Sequence, residues 1–176
     1  MRSEQPQHEI GIHRGAGAVR PVNLLGAVGQ LTGANQGGIL RLGYAEHYRV
    51  PVALVHAIIQ RESNWQPCTV AGKGAVGLMK LMPMTAERLG VRDRCNLDQN
   101  VSGGVAYLAW LMQQFHNDLR LVAAAYYAGE DAIGRRDLEY QNRDVVAYVA
   151  AIRIAYLREA GIQSGNKRII EKRDVR

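Results

Sequence analysis

The ten residues Leu119–Ala128 read LRLVAAAYYA, and Arg120 is the one charged residue among them. Leucine and alanine favour helix, and a helix that is apolar on almost every face has to be enclosed. Ten residues are far short of the ~20 that cross a bilayer, so the enclosure must be protein. The rest of the chain has to supply amphipathic helices to surround this one.

It does so. Val101, Val105, Leu108, Met112 and Phe115 mark a long amphipathic helix reaching about His116, and Val145, Val149, Ile152 and Tyr156 mark another ending near Gly161. Ile39, Leu42, Ala45 and Tyr48 predict a helix of about three turns that stops before Pro51, because the residue preceding proline avoids helical geometry. Pro83–Leu89 reads as a short helix that Gly90 ends, and Asp131–Asp137 as a further short turn. Residues 63–77 hold Pro67, Gly72, Gly74 and Gly77, a loop-rich stretch with room for a short β-hairpin. The expected fold is mostly α: one domain of helices around a buried central helix, with a small glycine-rich loop or β region. A length of 176 residues and a hydrophobic fraction of 47% suit one such core. Residues 1–35, with six glycines and no sustained period, read as a flexible leader or linker; residues 36–162 form the domain, and 163–176 a basic tail.

A further helix carries the chemistry. Pro51–Trp65 reads PVALVHAIIQRESNW, with Pro51 opening it, a favoured place for proline. Val55, Ile58 and Glu62 share one face, flanked by Leu54 and Ile59, so an apolar stripe ends on a carboxylate. Two readings stand at this point. Glu62 is an exposed residue at a frayed helix end, or it is a buried acid whose pKa is raised so that it stays protonated near neutral pH. In the second case it is a candidate general acid. His56, six residues earlier, falls on a different face and reads as structural, while Trp65 is either a groove wall or a lid on the stripe.

Other function classes recede. The net charge of +6 suits an anionic polymer, but five basic residues (Lys167, Arg168, Lys172, Arg173 and Arg176) lie in the last eleven positions, which reads as a solvated tail. No recognition helix, aromatic RNA-binding motif or zinc-finger spacing appears, so no nucleic-acid partner is expected. No apolar run of about 18 residues predicts a membrane span, and Met1–Pro21 lacks the apolar core of a signal peptide. No metal, nucleotide or redox cofactor has a motif. Cys68 and Cys95, 27 positions apart in two loop-like segments, are either unrelated thiols or a disulfide worth about 3 kcal/mol in an oxidising compartment.

Four segments in order carry a family resemblance: Glu62-Ser63-Asn64-Trp65; Gly74-Ala75-Val76-Gly77-Leu78-Met79-Lys80-Leu81-Met82-Pro83; Ala124-Ala125-Tyr126-Tyr127-Ala128-Gly129; and Tyr148-Val149-Ala150-Ala151-Ile152. With the Tyr107–Leu111 stretch between them, residues 38 to 160 resemble the catalytic domain of soluble lytic transglycosylases, relatives of the goose-type lysozymes. The resemblance implies a lysozyme-like domain with a groove for a glycan strand, periplasmic or secreted, most simply a monomer. Its reaction is cleavage of the β-1,4 bond between N-acetylmuramic acid and N-acetylglucosamine in peptidoglycan with formation of a 1,6-anhydro ring; one implied setting is a secretion apparatus that must perforate the wall. Glu62 is then the single acid and base. Ser63 orients it or contacts substrate, Gly74 and Gly77 let backbone approach the sugar, Met79 walls the groove, Tyr126 lines its floor, and Tyr148 holds the Glu62 carboxyl; read from spacing alone, Met79, Met82 and Tyr126 are equally core residues and Tyr148 a core tyrosine with a satisfied hydroxyl. Cys68 and Cys95 bracket the Gly-Leu-Met segment, which favours the disulfide.

This chain departs from the family pattern at three places. Lys80 stands where glutamine is usual, and an ammonium there would favour the charged form of Glu62, opposing its role as acid. Tyr127 stands where asparagine is usual, and Asp144-Val145 replaces a common Glu-Thr. The competing readings are a hydrolytic muramidase, for which Asp93, Asp98 or Asp131 is a candidate second carboxylate, and a weakly active or non-catalytic glycan-binding module.

Overall fold

The computed structural model describes residues 42–134 and 142–161. The leader expected at 1–35, the basic tail at 163–176, Ile39 and the end of the turn expected at Asp131–Asp137 lie outside the described residues. Among the described residues seven helices follow in order: α1 (42–48), α2 (Val52–Ser63), α3 (Pro83–Arg88), α4 (Leu97–Gln114), α5 (Leu119–Ala128), α6 (Glu130–Gly134) and α7 (Arg143–Glu159).

α5 occupies the span read from the sequence and packs against α4, α6 and α7, while α7 also packs along α2. Val122, Ala123, Ala124, Ala125 and Ala128 are buried, and the run of small side chains lets neighbouring helices approach α5 closely. Polar caps set the starts of three helices. The side chains of Asn96, Asp118 and Asn142 accept from backbone N–H groups of α4, α5 and α7, satisfying donors that a helix start leaves free. Pro51 stands one position ahead of α2, and its carbonyl accepts from Leu54 and Val55. Past the other end of α2, Asn64 and Trp65 both take left-handed backbone angles, φ 49° and 65°, which turn the chain sharply away. α1 is tied to α4 by the buried Tyr44 hydroxyl, which donates to Asp98 Oδ1.

The hairpin expected in residues 63–77 is absent as a ladder. Two isolated antiparallel bridges, Val70 with Val76 and Val76 with Leu81, take its place. Positive φ angles at Gly74, Gly77 and Lys80 bend the chain every three residues, too often for strands to extend. This turn segment docks on α4 where α4 has no side chains. A Cβ on Gly104 would lie 2.4 Å from Met79 Sδ, and one on Gly103 would lie 2.5 Å from Val91 Cγ2. Asn100, fully buried on α4, bolts the segment down: it accepts from Met79 N–H (2.8 Å) and donates to the carbonyls of Val76 (3.0 Å) and Arg94 (2.9 Å). The Arg94 guanidinium donates to the carbonyls of Gly74 and Leu81, and next to it Cys95 is joined to Cys68 in a disulfide.

Gly77 sits at the tightest point, with φ 91° and the space of a Cβ filled by the Asn100 amide and the Arg94 carbonyl. Gly77→Ala should therefore cost about 2–4 kcal/mol, combining left-handed strain with overpacking. Gly72→Ala, where nothing lies within 4 Å of the added carbon, should stay within about 0.5 kcal/mol. Urea midpoints of the two variants measure the difference, and equal midpoints would refute the packing argument.

Candidate active site

The buried residues Leu54, Val55, Ile58 and Ile59 fix the face that α2 turns inward. Glu62 extends that stripe by one turn and is partly buried. Its Oε1 accepts a hydrogen bond of 2.5 Å from the hydroxyl of Tyr148, a wholly buried residue of α7. The α2–α7 packing thus delivers donor and acceptor from residues 86 positions apart.

The electrostatics of this carboxyl are set by competing effects. Loss of solvation raises its pKa from 4.5 to about 7, against the opposing pull of the Tyr148 hydrogen bond, Arg61 and Lys80, in that order. Desolvation is the largest of the four, so near neutral pH the group divides between acid and carboxylate. Arg61 holds its guanidinium 5.8 Å from the centre of the Tyr148 ring and is itself exposed. Tyr127 stacks on the same ring, with centroids 4.6 Å apart, so the tyrosine in the usual asparagine position builds a second layer behind Tyr148. Tyr126 donates to the Met79 carbonyl at 2.7 Å, and its hydroxyl is pushed well above the ordinary tyrosine range by burial and, secondarily, by the charge of Glu62.

Several sequence-derived roles change. Ser63 is buried and its hydroxyl donates to the Ile59 carbonyl, one turn back on its own helix, so the side chain does not orient Glu62. The Met79 side chain is wholly buried against Gly104 and belongs to the core instead of a groove wall; its backbone joins α4, through Asn100, to α5, through Tyr126. The missing side chain of Gly77 serves packing against Asn100. Lys80 is partly buried beside the site and interacts electrostatically with Glu62, although among the described residues no ion pair joins them. Trp65 donates to Gln60 Oε1 and lies 5.1 Å from the His56 ring, on the flank of α2 where His56 meets Glu159.

No candidate second carboxylate reaches the site. Asp93 is exposed and accepts from the Cys95 N–H, Asp98 is buried under the Tyr44 hydroxyl, and Asp131 lies in the first turn of α6. Among the described residues the charges that act on Glu62 come from Arg61 and Lys80. One carboxyl escaped the sequence reading. Glu130 is 7% exposed, accepts from the Tyr107 hydroxyl at 2.8 Å, and is shifted upward by burial. It stands at the start of a five-residue helix, with no apolar period to reveal it; its one signal is the position directly after the Ala-Ala-Tyr-Tyr-Ala-Gly motif. Among the described residues no cluster of three or more His, Cys, Asp or Glu could hold a metal ion.

Residues 41–148 match the family model described as Transglycosylase SLT domain. The chain is 39% identical over 82 residues to a transglycosylase of Enterobacteria phage PRD1, a match covering 47% of this chain and 31% of that one. It is 44% identical over 62 residues to membrane-bound lytic murein transglycosylase F of Desulfosudis oleivorans, covering 35% of this chain and 14% of that one. The chain therefore spans less than a third of the length of these relatives. The 70-kDa soluble lytic transglycosylase of Escherichia coli shares the lysozyme-like fold, with a TM-score of 0.60 at 25% identity over 70% of this chain and 24% of that one.

The raised pKa of Glu62 links the site to stability. Folding increases its proton affinity, so the stabilisation from protonating it is complete below about pH 4.5 and is lost as pH rises through about 7. Glu62→Gln, neutral at every pH, should be more stable than the parent by on the order of 2 kcal/mol at pH 8.5. The advantage should shrink to near zero at pH 4. Denaturant titrations at the two pH values test this, and a pH-independent difference would show that the carboxyl is not desolvated. Tyr148→Phe removes an interaction that favours the carboxylate and should move the Glu62 titration to higher pH, read by NMR of labelled glutamate.

Proposed function

The chain belongs to the transglycosylase SLT domain family, and from that premise we propose that it is a lytic transglycosylase. It cleaves the β-1,4 bond between N-acetylmuramic acid and N-acetylglucosamine in peptidoglycan. The observation that carries this reading is Glu62, a desolvated carboxyl poised near pH 7 on which, among the described residues, no second carboxylate acts.

The geometry supports a two-stroke use of one group. Protonated Glu62 donates to the glycosidic oxygen as the bond to C1 of the muramoyl residue breaks. The resulting carboxylate then takes the proton of the C6 hydroxyl as that oxygen closes on C1, giving the 1,6-anhydro ring and restoring the acid. No water enters, so the carboxylate that an inverting hydrolase needs to activate water has no task. A pKa near 7 suits both strokes, because neither protonation state is far from reach. The Tyr148 hydroxyl remains bonded to Oε1 and favours the intermediate carboxylate. The disulfide is consistent with an oxidising compartment, and the proposed substrate with action in the periplasm or outside the cell. No helix among the described residues is long and apolar enough to cross a membrane. Local opening of the wall for a secretion apparatus is one use of such an activity.

Digestion of purified sacculi followed by mass spectrometry tests the proposal. Anhydro-muropeptides should appear, and Glu62→Gln should lower their yield by at least about a thousandfold, the scale expected when an essential acid–base group is lost. Reducing-end products, heavier by one water, would establish hydrolysis instead. Retention on sacculi with no product would establish a binding module.

A further inference from the structure

Lys80 is rooted in one of the most constrained pieces of backbone in the molecule. Its φ is 50° and its N–H donates to the Gly77 carbonyl at 3.2 Å. Met79 before it is held at its N–H by Asn100 and at its carbonyl by Tyr126. Leu81 after it exchanges two hydrogen bonds with Val76, at 3.1 and 3.0 Å, and its carbonyl accepts from Arg94. Only the side chain is free to move.

That side chain is partly buried, and among the described residues the charge that acts on its ammonium is that of Glu62. Among the described residues no carboxylate lies within ion-pair distance of it. The proposed reaction begins with Glu62 protonated. At that stage the Lys80 ammonium is partly withdrawn from water and no longer faces a charged Glu62, the counter-charge it has among the described residues, an unfavourable state that a ligand anion would relieve. Arg61 does not compete for that anion in the same way, since it is exposed and lies over the Tyr148 ring. The proposed substrate offers a matching group. Each muramoyl residue bears a lactyl ether whose carboxyl is a free carboxylate where no peptide is attached and a neutral amide where one is.

We propose that Lys80 is a specificity-determining residue that pairs with a carboxylate on the muramoyl residue at the cleavage point, so that peptide-free glycan with free lactyl groups is preferred. The inference rests on the glycan-cleaving reading for its substrate, but its test does not need turnover. The Glu62→Gln protein stands in for the protonated acid and is titrated with four glycans: peptide-free strands, the same strands amidated at the lactyl carboxyl, peptide-bearing strands, and peptide-bearing strands amidated throughout. Free lactyl strands should bind about tenfold more tightly than amidated ones, the scale of one charge-assisted contact. Adding Lys80→Gln should reduce that ratio to about one, and Lys80→Arg should keep most of it. Amidating the peptide-bearing strands should change nothing.

A ratio that survives Lys80→Gln, or is absent in the parent, overturns the proposal. Sensitivity to amidation confined to the peptide-bearing strands also overturns it, assigning the carboxylate to the stem peptide. Absence of anhydro product from the active protein, with the Lys80-dependent ratio preserved, would sink the cleavage reading and leave this inference standing.

Discussion

The site depends on a contest between solvation and charge at one carboxyl. α2 carries Glu62 inward on a face whose other members are wholly buried, and losing water raises the cost of ionising it. The Tyr148 hydroxyl works in the opposite direction. Had burial acted alone, the acid would hold its proton too tightly to return as a base. With the hydrogen bond dominant, the group would be an ordinary carboxylate with nothing to donate. The balance rests on the packing of α2 on α7, since that contact both excludes water and presents the hydroxyl.

A second constraint holds the other side of the site. The turn segment around Gly77 has almost no regular secondary structure, so its backbone polar groups need partners from elsewhere. Asn100 and Arg94 supply them, and the two glycines of α4 clear the room for Met79 and Leu81. The Tyr126 hydroxyl then joins this segment to α5 through the Met79 carbonyl. A loop that carries a charged side chain is thereby pinned to α4 and α5 through its backbone, the kind of fixed placement that the proposed binding contact would use.

These two constraints were unequally legible in the sequence. The all-apolar α5 and the stripe ending at Glu62 declare themselves through period and composition, because burial selects side chains at every turn of a helix. The room for a short β-hairpin in residues 63–77 is taken by isolated bridges, since the proline and glycine content of a short stretch marks turns without revealing that they are repeatedly left-handed. Ser63 and Met79 lie in motifs beside the site but point into the protein, and a motif gives residue order without side-chain direction. Asn100 and Glu130 are polar residues buried by long-range partners, Met79 and Tyr107, and no local pattern marks them. Apart from the Tyr148–Glu62 contact, which the family resemblance implied, what remained hidden was the polar wiring between elements, which tertiary packing alone creates.

The same physics explains why an ammonium beside Glu62 does not abolish its raised proton affinity. A charge on Lys80 opposes protonation of Glu62, yet it ranks last among the four effects, behind the loss of water, the Tyr148 hydroxyl and Arg61. Partial exposure of the lysine leaves solvent to screen the interaction. Desolvation has no such weakness, because it acts on the carboxyl wherever the counter-charge lies. Replacing a neutral amide by an ammonium at this position therefore leaves the carboxyl able to hold its proton. Under the proposed pairing with a ligand anion, the substitution changes what the site can recognise more than what it can do.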